Sequence, residues 1–111
     1  MTPYYIEEGK HYRIEDGRGN RIKLRTVNEW LGEIEELYVL PSERRKGIGS
    51  LLLYDIEAIA RQKKLKKLSL ICSSDNENAI KIYIKEGYEK EAVLKNHFRK
   101  GLDSFVFSKF M

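Results

Sequence analysis

The chain has little of what would staple, anchor or export it. Its one cysteine, Cys72, cannot form an internal disulfide. It sits in Leu68-Ser69-Leu70-Ile71-Cys72, where a buried strand thiol is expected rather than a nucleophile. No apolar run approaches the roughly 20 residues needed to cross a bilayer, and Met1 to Lys10 lacks the charged-then-apolar order of a secretory leader. A cytoplasmic protein without membrane contact is therefore expected by default. Linkers, repeats and low-complexity tracts are also absent, and 111 residues suit a single domain, 1–111, with one modest core. The net charge of +4 is small, and Lys and Glu are interspersed, which gives little ground for nucleic-acid binding.

What is present describes a soluble globular chain, 41% hydrophobic and 34% charged. Tyr4 to Asn28 alternates apolar and polar side chains, the period of half-buried strands, and is broken by the turn signal Asp16-Gly17-Arg18-Gly19-Asn20. Two or three antiparallel strands are expected there. A further strand should run from about Trp30 to Leu40 and end at Pro41, which cannot donate to a ladder.

From Gly47 the period changes. Ile48, Leu52, Ile56 and Ile59 or Ala60 fall on one helical face, predicting a helix to about Lys63 with a cation-rich exit. Leu68 to Cys72 reads as a buried strand, and Ser74-Asp75-Asn76-Glu77 has the form of a capping box opening a second helix that stops at Gly87. Tyr88 to Leu94 and Asp103 to Phe110 read as closing strands, with His97 in the turn between them. A strand-helix-strand unit makes a right-handed crossover between parallel strands, so the expected fold is α/β (α+β by some counts), a mixed sheet with at least two helices.

The most informative segment is Leu37-Tyr38-Val39-Leu40-Pro41-Ser42-Glu43-Arg44-Arg45-Lys46-Gly47-Ile48-Gly49-Ser50. It delivers a basic, glycine-containing loop into a helix N-terminus, where unpaired N–H groups and the helix dipole favour an anion. Gly47 and Gly49 let phosphate oxygens approach the backbone, and Arg44, Arg45 and Lys46 are placed for charge-assisted bonds. A phosphorylated cofactor suits this loop. It is neither a dinucleotide fingerprint, since position 52 is Leu where a third glycine is needed, nor a nucleoside-triphosphate loop, since Gly-Lys-Ser/Thr is absent.

Arg44-x-x-Gly47-x-Gly49 resembles the Arg/Gln-x-x-Gly-x-Gly/Ala signature of GCN5-related N-acetyltransferases (GNAT). A second block, Asn76 to Tyr88, is similar to that family's Asn-x-x-Ala-x-x-x-Tyr-x-x-x-Gly-Phe/Tyr pattern, with its Asn at position 76 or 78. The resemblance covers about Glu33 to Phe110.

It implies an acyltransferase that uses acetyl-coenzyme A and an amine, whether a protein N-terminus, a lysine or a small molecule, with no metal. It further implies that the strand before the loop splays from Leu68–Cys72 to admit the pantetheine arm. Leu37, Tyr38 and Val39 would then line the arm with backbone groups, an N–H near Val39 would polarise the thioester carbonyl, and residues from Arg45 through Ile48 to Ser50 would hold the pyrophosphate. Tyr83 matches the tyrosine that in many relatives protonates the departing thiolate, and Asn76 an asparagine that binds cofactor.

A carboxylate is needed to take the amine's proton. Strand alternation puts Glu33 and Glu35 on Leu37's face and Glu36 on the other unless a bulge intervenes. The position of the base in histone-acetylating relatives selects Glu33, with Glu35 as second choice. Ribosomal-protein alanine acetyltransferases carry a base where Ile71 stands here, so that role is missing.

Relatives also commonly begin with a strand and two helices that wall the acceptor groove, whereas 1–40 here reads as strands. That implies an acceptor site open to a large substrate or completed by a second subunit in a homodimer. Two other functions compete. One is an inactive acetyl-coenzyme A-binding regulatory module; the other is a nucleic-acid-binding domain using Arg44–Lys46 and Lys63–Lys67, disfavoured because no aromatic-rich basic strand or recognition helix accompanies them.

Overall fold

The computed structural model describes residues 4–111; residues 1–3, part of the Met1–Lys10 stretch considered above, lie outside it. Four strands come first: β1 (Tyr4–Glu8), β2 (His11–Glu15), β3 (Arg21–Thr26) and β4 (Leu31–Tyr38). A short 3₁₀ turn at Pro41–Glu43 leads to helix α1 (Ile48–Gln62). Then follow β5 (Lys67–Ser73), α2 (Glu77–Lys85), β6 (Glu89–Arg99) and β7 (Leu102–Phe110). The seven strands form one mixed sheet in the order β1-β2-β3-β4-β5-β7-β6, with β4 and β5 the parallel pair.

One face of this sheet holds the core. Leu24, Ile34, Leu70 and Phe107 are cross-strand partners in a single row over β3, β4, β5 and β7, and all four are buried. Ile14 and Ile22 extend the same face to β2. Helix α1 lays Leu52, Leu53, Ile56 and Ala60 on it, and α2 contributes Tyr83, whose ring packs 5.9 Å from that of Phe107. Both helices therefore cover the same face, as two right-handed crossovers running in one direction across a sheet require.

The alternation read from the sequence places the charged residues of β2, β3 and β4 on the opposite face. There the cross-strand rows are His11, Arg25, Glu33; Arg13, Lys23, Glu36; and Glu15, Arg21, Tyr38. Among the described residues no helix covers this face.

Three details differ from the sequence expectation. The second helix is capped by Asn76, whose side chain accepts from the Ala79 N–H at 3.3 Å, and not by Ser74. The hairpin of β6 and β7 is longer than periodicity suggested, because exposed residues on both faces of β6 erase the alternation signal; His97 lies within β6, against Phe98, not in the turn. Glu57, a polar residue on the apolar stripe of α1, is buried. Its carboxylate accepts from Tyr88 Oη at 2.9 Å and from Lys109 Nζ at 3.0 Å, and Lys109 also donates to the Glu86 carbonyl, which ties α1, the exit of α2 and β7 together.

Cys72 is buried as expected, and burial pushes its thiol pKa up. No helix among the described residues is long and apolar enough to cross a membrane.

Candidate active site

The parallel pair β4 and β5 stays in register only from Leu31 with Lys67 to Ile34 with Leu70. Beyond that point the strands part. The cause lies in β4: its register against β3 shifts by one residue, with Lys23 opposite Glu36 and Leu24 opposite Ile34, so Glu35 is bulged. A bulge bends its strand and increases the local twist, which here carries the end of β4 away from β5. Main-chain groups of Leu37 to Val39 on the side away from β3 consequently have no strand partner.

The bulge also corrects the face assignment of the carboxylates. Ile34 and Leu37 both lie on the core face, opposite Leu24 and Ile22. Glu33 and Glu36 therefore point to the open face, away from Leu37, because the extra residue reverses the alternation after Ile34. Each carboxylate has a basic partner there. Glu33 lies 3.6 Å from Arg25, Glu35 lies 3.7 Å from Arg25 and 3.1 Å from His11 Nδ1, and Glu36 pairs with Arg21.

On the helix side the gap opens into a cleft of about 640 Å³. Leu37 and Val39 form its floor near β4; Ile48, Gly49 and Ser50 present the first turn of α1; and Asn76, Asn78 and Ile82 present α2. Gly47 caps α1 in the left-handed region at φ 76° without a side-chain hydrogen bond, so no side chain among the described residues takes the leading N–H groups. A Cβ on Gly49 would come 3.0 Å from Ile82 Cδ1, so the glycine is what lets α2 close on the first turn of α1.

Arg44, Arg45, Lys81 and Lys85 line the cleft, against a single carboxylate, Glu43. Glu43 is already committed: Arg18 donates to it at 2.8 Å and Lys46 lies 3.4 Å away, and the Arg18 bond holds its carboxyl below the ordinary range. The donor set, an uncapped helix start with guanidinium and ammonium groups around it, fits an extended polyanion such as coenzyme A.

Most of the residues singled out in the sequence thus line one cleft: Leu37, Val39, Arg44, Arg45, Gly47 to Ser50, and Asn76. Lys46 does not, because it turns to Glu43. The Tyr38 side chain also lies outside it, on the open face 4.6 Å beneath Arg21, while its main chain follows the gap. Tyr83 is buried between Tyr88 and Phe107 and does not line the cleft. Burial, and then the neighbouring Cys72, push its phenol far above the ordinary range. Cys72 stands two residues past the last β4–β5 pair.

Three contributors, Lys81, Lys85 and Asn20, were not singled out from sequence. Lys81 and Lys85 lie on α2 at helical spacing from Asn78, a periodicity that points to a shared face once Asn78 is assigned to the cleft. Asn20, treated only as a turn residue, is fully buried. Its side-chain oxygen accepts from the Leu40 N–H at 2.7 Å and its amide donates to Asp16, so the β2–β3 turn pins the start of the basic loop. Replacing Asn20 by alanine leaves the Leu40 N–H unpaired and should lower stability by about 2 kcal/mol in urea titrations, and weaken cleft binding with it. The basic run after α1 is partly neutralised, with Lys63 against Glu7 at 3.6 Å and Lys67 paired to Glu91.

The acetyltransferase (GNAT) family model matches residues 12–88, and the chain belongs to that family. Among curated proteins it is similar to the aminoalkylphosphonate N-acetyltransferase of Salmonella typhimurium, 31% identical over 102 residues, covering 85% of this chain and 63% of that protein. The chain thus spans less than two thirds of that relative's length. Its fold matches a Bacillus cereus acetyltransferase, with a TM-score of 0.75 and 26% identity over 99% of this chain and 72% of that one. It also matches a GNAT family acetyltransferase from Elizabethkingia anophelis solved with acetyl-CoA bound, with a TM-score of 0.79 and 20% identity over 91% of this chain and 75% of that one.

Proposed function

We propose that the chain transfers acetyl from acetyl-coenzyme A to a small amine that also carries an anionic group. The observation that carries the transfer reaction is the reach of the cleft, which runs from the uncapped start of α1 to Leu37 and Val39, the stretch of chain that has parted from β5. Arg44, which also donates to the Val39 carbonyl at 3.2 Å, Arg45 and the N–H groups of Ile48, Gly49 and Ser50 hold the pyrophosphate, while the main chain of Leu37 to Val39, without a strand partner on the β5 side, holds the pantetheine arm. Acetyl-coenzyme A supplies the activated thioester. A main-chain N–H near Val39 then stabilises negative charge gathering on the carbonyl oxygen, which is usually a large part of acyl-transfer catalysis.

With the helix face filled by core and cleft, the amine approaches from the open face, where Glu33 and Glu35 stand. Glu33 takes the amine's proton, directly or through a water, as the new N–C bond forms and the C–S bond breaks. Tyr83 donates a hydrogen bond to the departing sulfur.

The acceptor class is supported by the same face. Lys23 stands between Arg13 and Glu36 in its cross-strand row and makes no ion pair among the described residues, because Glu36 turns to Arg21, so its ammonium is free to meet an anion. Arg13 Nε is buried and makes no hydrogen bond, although Glu15 lies 3.1 Å away. The relative named for aminoalkylphosphonates points to the same chemistry.

Thiol release measured with an aminoalkylphosphonate, a polyamine and an N-terminal peptide tests this. Turnover confined to the phosphonate supports the proposal. Turnover only with the cationic or peptide amines overturns the acceptor class, and binding without turnover on any amine would make the chain a regulatory module.

A further inference from the structure

Helix α2 forms one wall of the cleft, yet the core holds little of it. It is nine residues long, too short to be stable alone, so its position depends on what it touches. Tyr83 is its one buried side chain, with Ala79, Ile80 and Ile82 half-buried against the core. Its exit is held in a different way. Lys109 of β7 donates at 2.8 Å to the carbonyl of Glu86, the residue that caps α2, where a cation complements the negative end of the helix. The same ammonium donates to one oxygen of Glu57 on α1 at 3.0 Å, and Tyr88, just past the cap, donates to the other at 2.9 Å. Arg61, one turn further along α1, lies 3.7 Å from that carboxylate. Taking such an ion pair out of water is costly, and apolar side chains of similar volume often hold a fold together equally well. What a buried pair adds is a choice of one arrangement among several that packing allows. This one spans the two helices that wall the cleft, and neither Glu57 nor Lys109 lines the cleft itself.

We infer that Glu57 and Lys109 are positioning residues: their ion pair, carried on to the Glu86 carbonyl, seats α2 against α1 and so sets the width of the cleft that receives acetyl-coenzyme A. This rests on the acetyl-coenzyme A reading above. The tie touches no ligand and acts through α2. Without it the helix keeps Tyr83 in the core but shifts at its exit, and a cofactor gripped by both walls must first draw it back, with a loss of affinity.

The test is calorimetric titration of acetyl-coenzyme A into the parent and three variants, with thermal unfolding and amide hydrogen exchange alongside. Lys109→Met keeps the length of the side chain and loses both bonds. Glu57→Leu/Tyr88→Phe/Lys109→Met removes the polar partners together, so no buried charge or hydroxyl is left unpaired and the fold is retained. Lys109→Arg keeps a cation with donors for both Glu57 and the Glu86 carbonyl. In the triple variant affinity should fall at least about tenfold while the thermal midpoint stays within about 5 °C of the parent's, and exchange should quicken in 77–86 but not in β2 to β4. Lys109→Met should show the same loss of affinity, and Lys109→Arg should bind within about threefold of the parent. Parental affinity in either folded variant that lacks the tie would overturn the inference and leave the cofactor reading standing. An equal loss in Lys109→Arg would overturn it too, because the two bonds would then not be what matters. If neither variant lacking the tie folds, the tie serves the fold and not the cleft, which also overturns it. Failure of the parent to bind acetyl-coenzyme A would sink the cofactor reading, and this inference with it.

Discussion

Replacing Tyr83 by phenylalanine is expected to lower kcat about 100-fold and to leave the Michaelis constant for acetyl-coenzyme A nearly unchanged. That loss sits at the lower end of the range for a positioned acid, for a physical reason. Burial drives the phenol pKa up, so the hydroxyl stays protonated at any working pH and is a weaker proton donor than an ordinary phenol. In the proposed reaction it would serve the departing sulfur chiefly through a hydrogen bond, and phenylalanine removes the hydroxyl while keeping the ring against Phe107 and Tyr88.

The same burial has a signature in stability. A phenol whose pKa is higher folded than unfolded contributes stability that is fully present below about pH 10 and is lost as pH rises beyond it, because the unfolded chain releases the proton first. Thermal midpoints between pH 8 and 11 should therefore fall less steeply for the phenylalanine variant than for the parent, with Tyr88, raised first by burial and then by Glu57, and the buried thiol of Cys72 contributing to the remaining slope. Parental kcat in the variant would reduce Tyr83 to a core residue.

The second large effect concerns the anion cradle. Arg45→Glu/Gly47→Asp exchanges one cation of the cleft for a carboxylate and adds another beside the uncapped start of α1, and acetyl-coenzyme A affinity should fall at least about 100-fold. The fold should survive. Arg45 already adopts φ 64°, so glutamate inherits that conformation, and aspartate at Gly47, φ 76°, costs about 1 kcal/mol. Lys46→Glu is the internal control: it also reverses a charge, but Lys46 faces Glu43 and not the cleft, so affinity should change by less than about threefold. Equal losses from the two variants in titration calorimetry would mean that the loop acts only through its net charge.

These expectations draw unequally on sequence and structure. Elements with a regular period were legible: the alternation of Ile14, Ile22 and Leu24, and the three- and four-residue spacing of Leu52, Ile56 and Ala60, announce a sheet face and a helix stripe that meet in the core. The basic loop was legible because glycines and arginines before a helix have few other uses.

The bulge at Glu35 was not. Three of four successive positions, Glu33, Glu35 and Glu36, carry the same side chain around a single apolar residue, so alternation alone had no mark by which to register an extra residue. Asn20 and Glu57 escaped for a related reason: a polar residue looks exposed until its partners, forty or more positions apart for Glu57 and Lys109, are known to converge. The face carried by Lys81 and Lys85 became visible only when α2 was seen to close on Gly49.

The claim on which the rest depends is that one cleft, formed by Leu37–Val39, the start of α1 and α2, receives acetyl-coenzyme A. Backbone amide shifts followed by nuclear magnetic resonance while the ligand is added test it directly. Saturating shifts in the micromolar to low millimolar range, concentrated in residues 37–50 and 76–85, are the expected result. Unshifted amides in those segments at millimolar ligand, or shifts gathered on the open face of β2 and β3 instead, would contradict it.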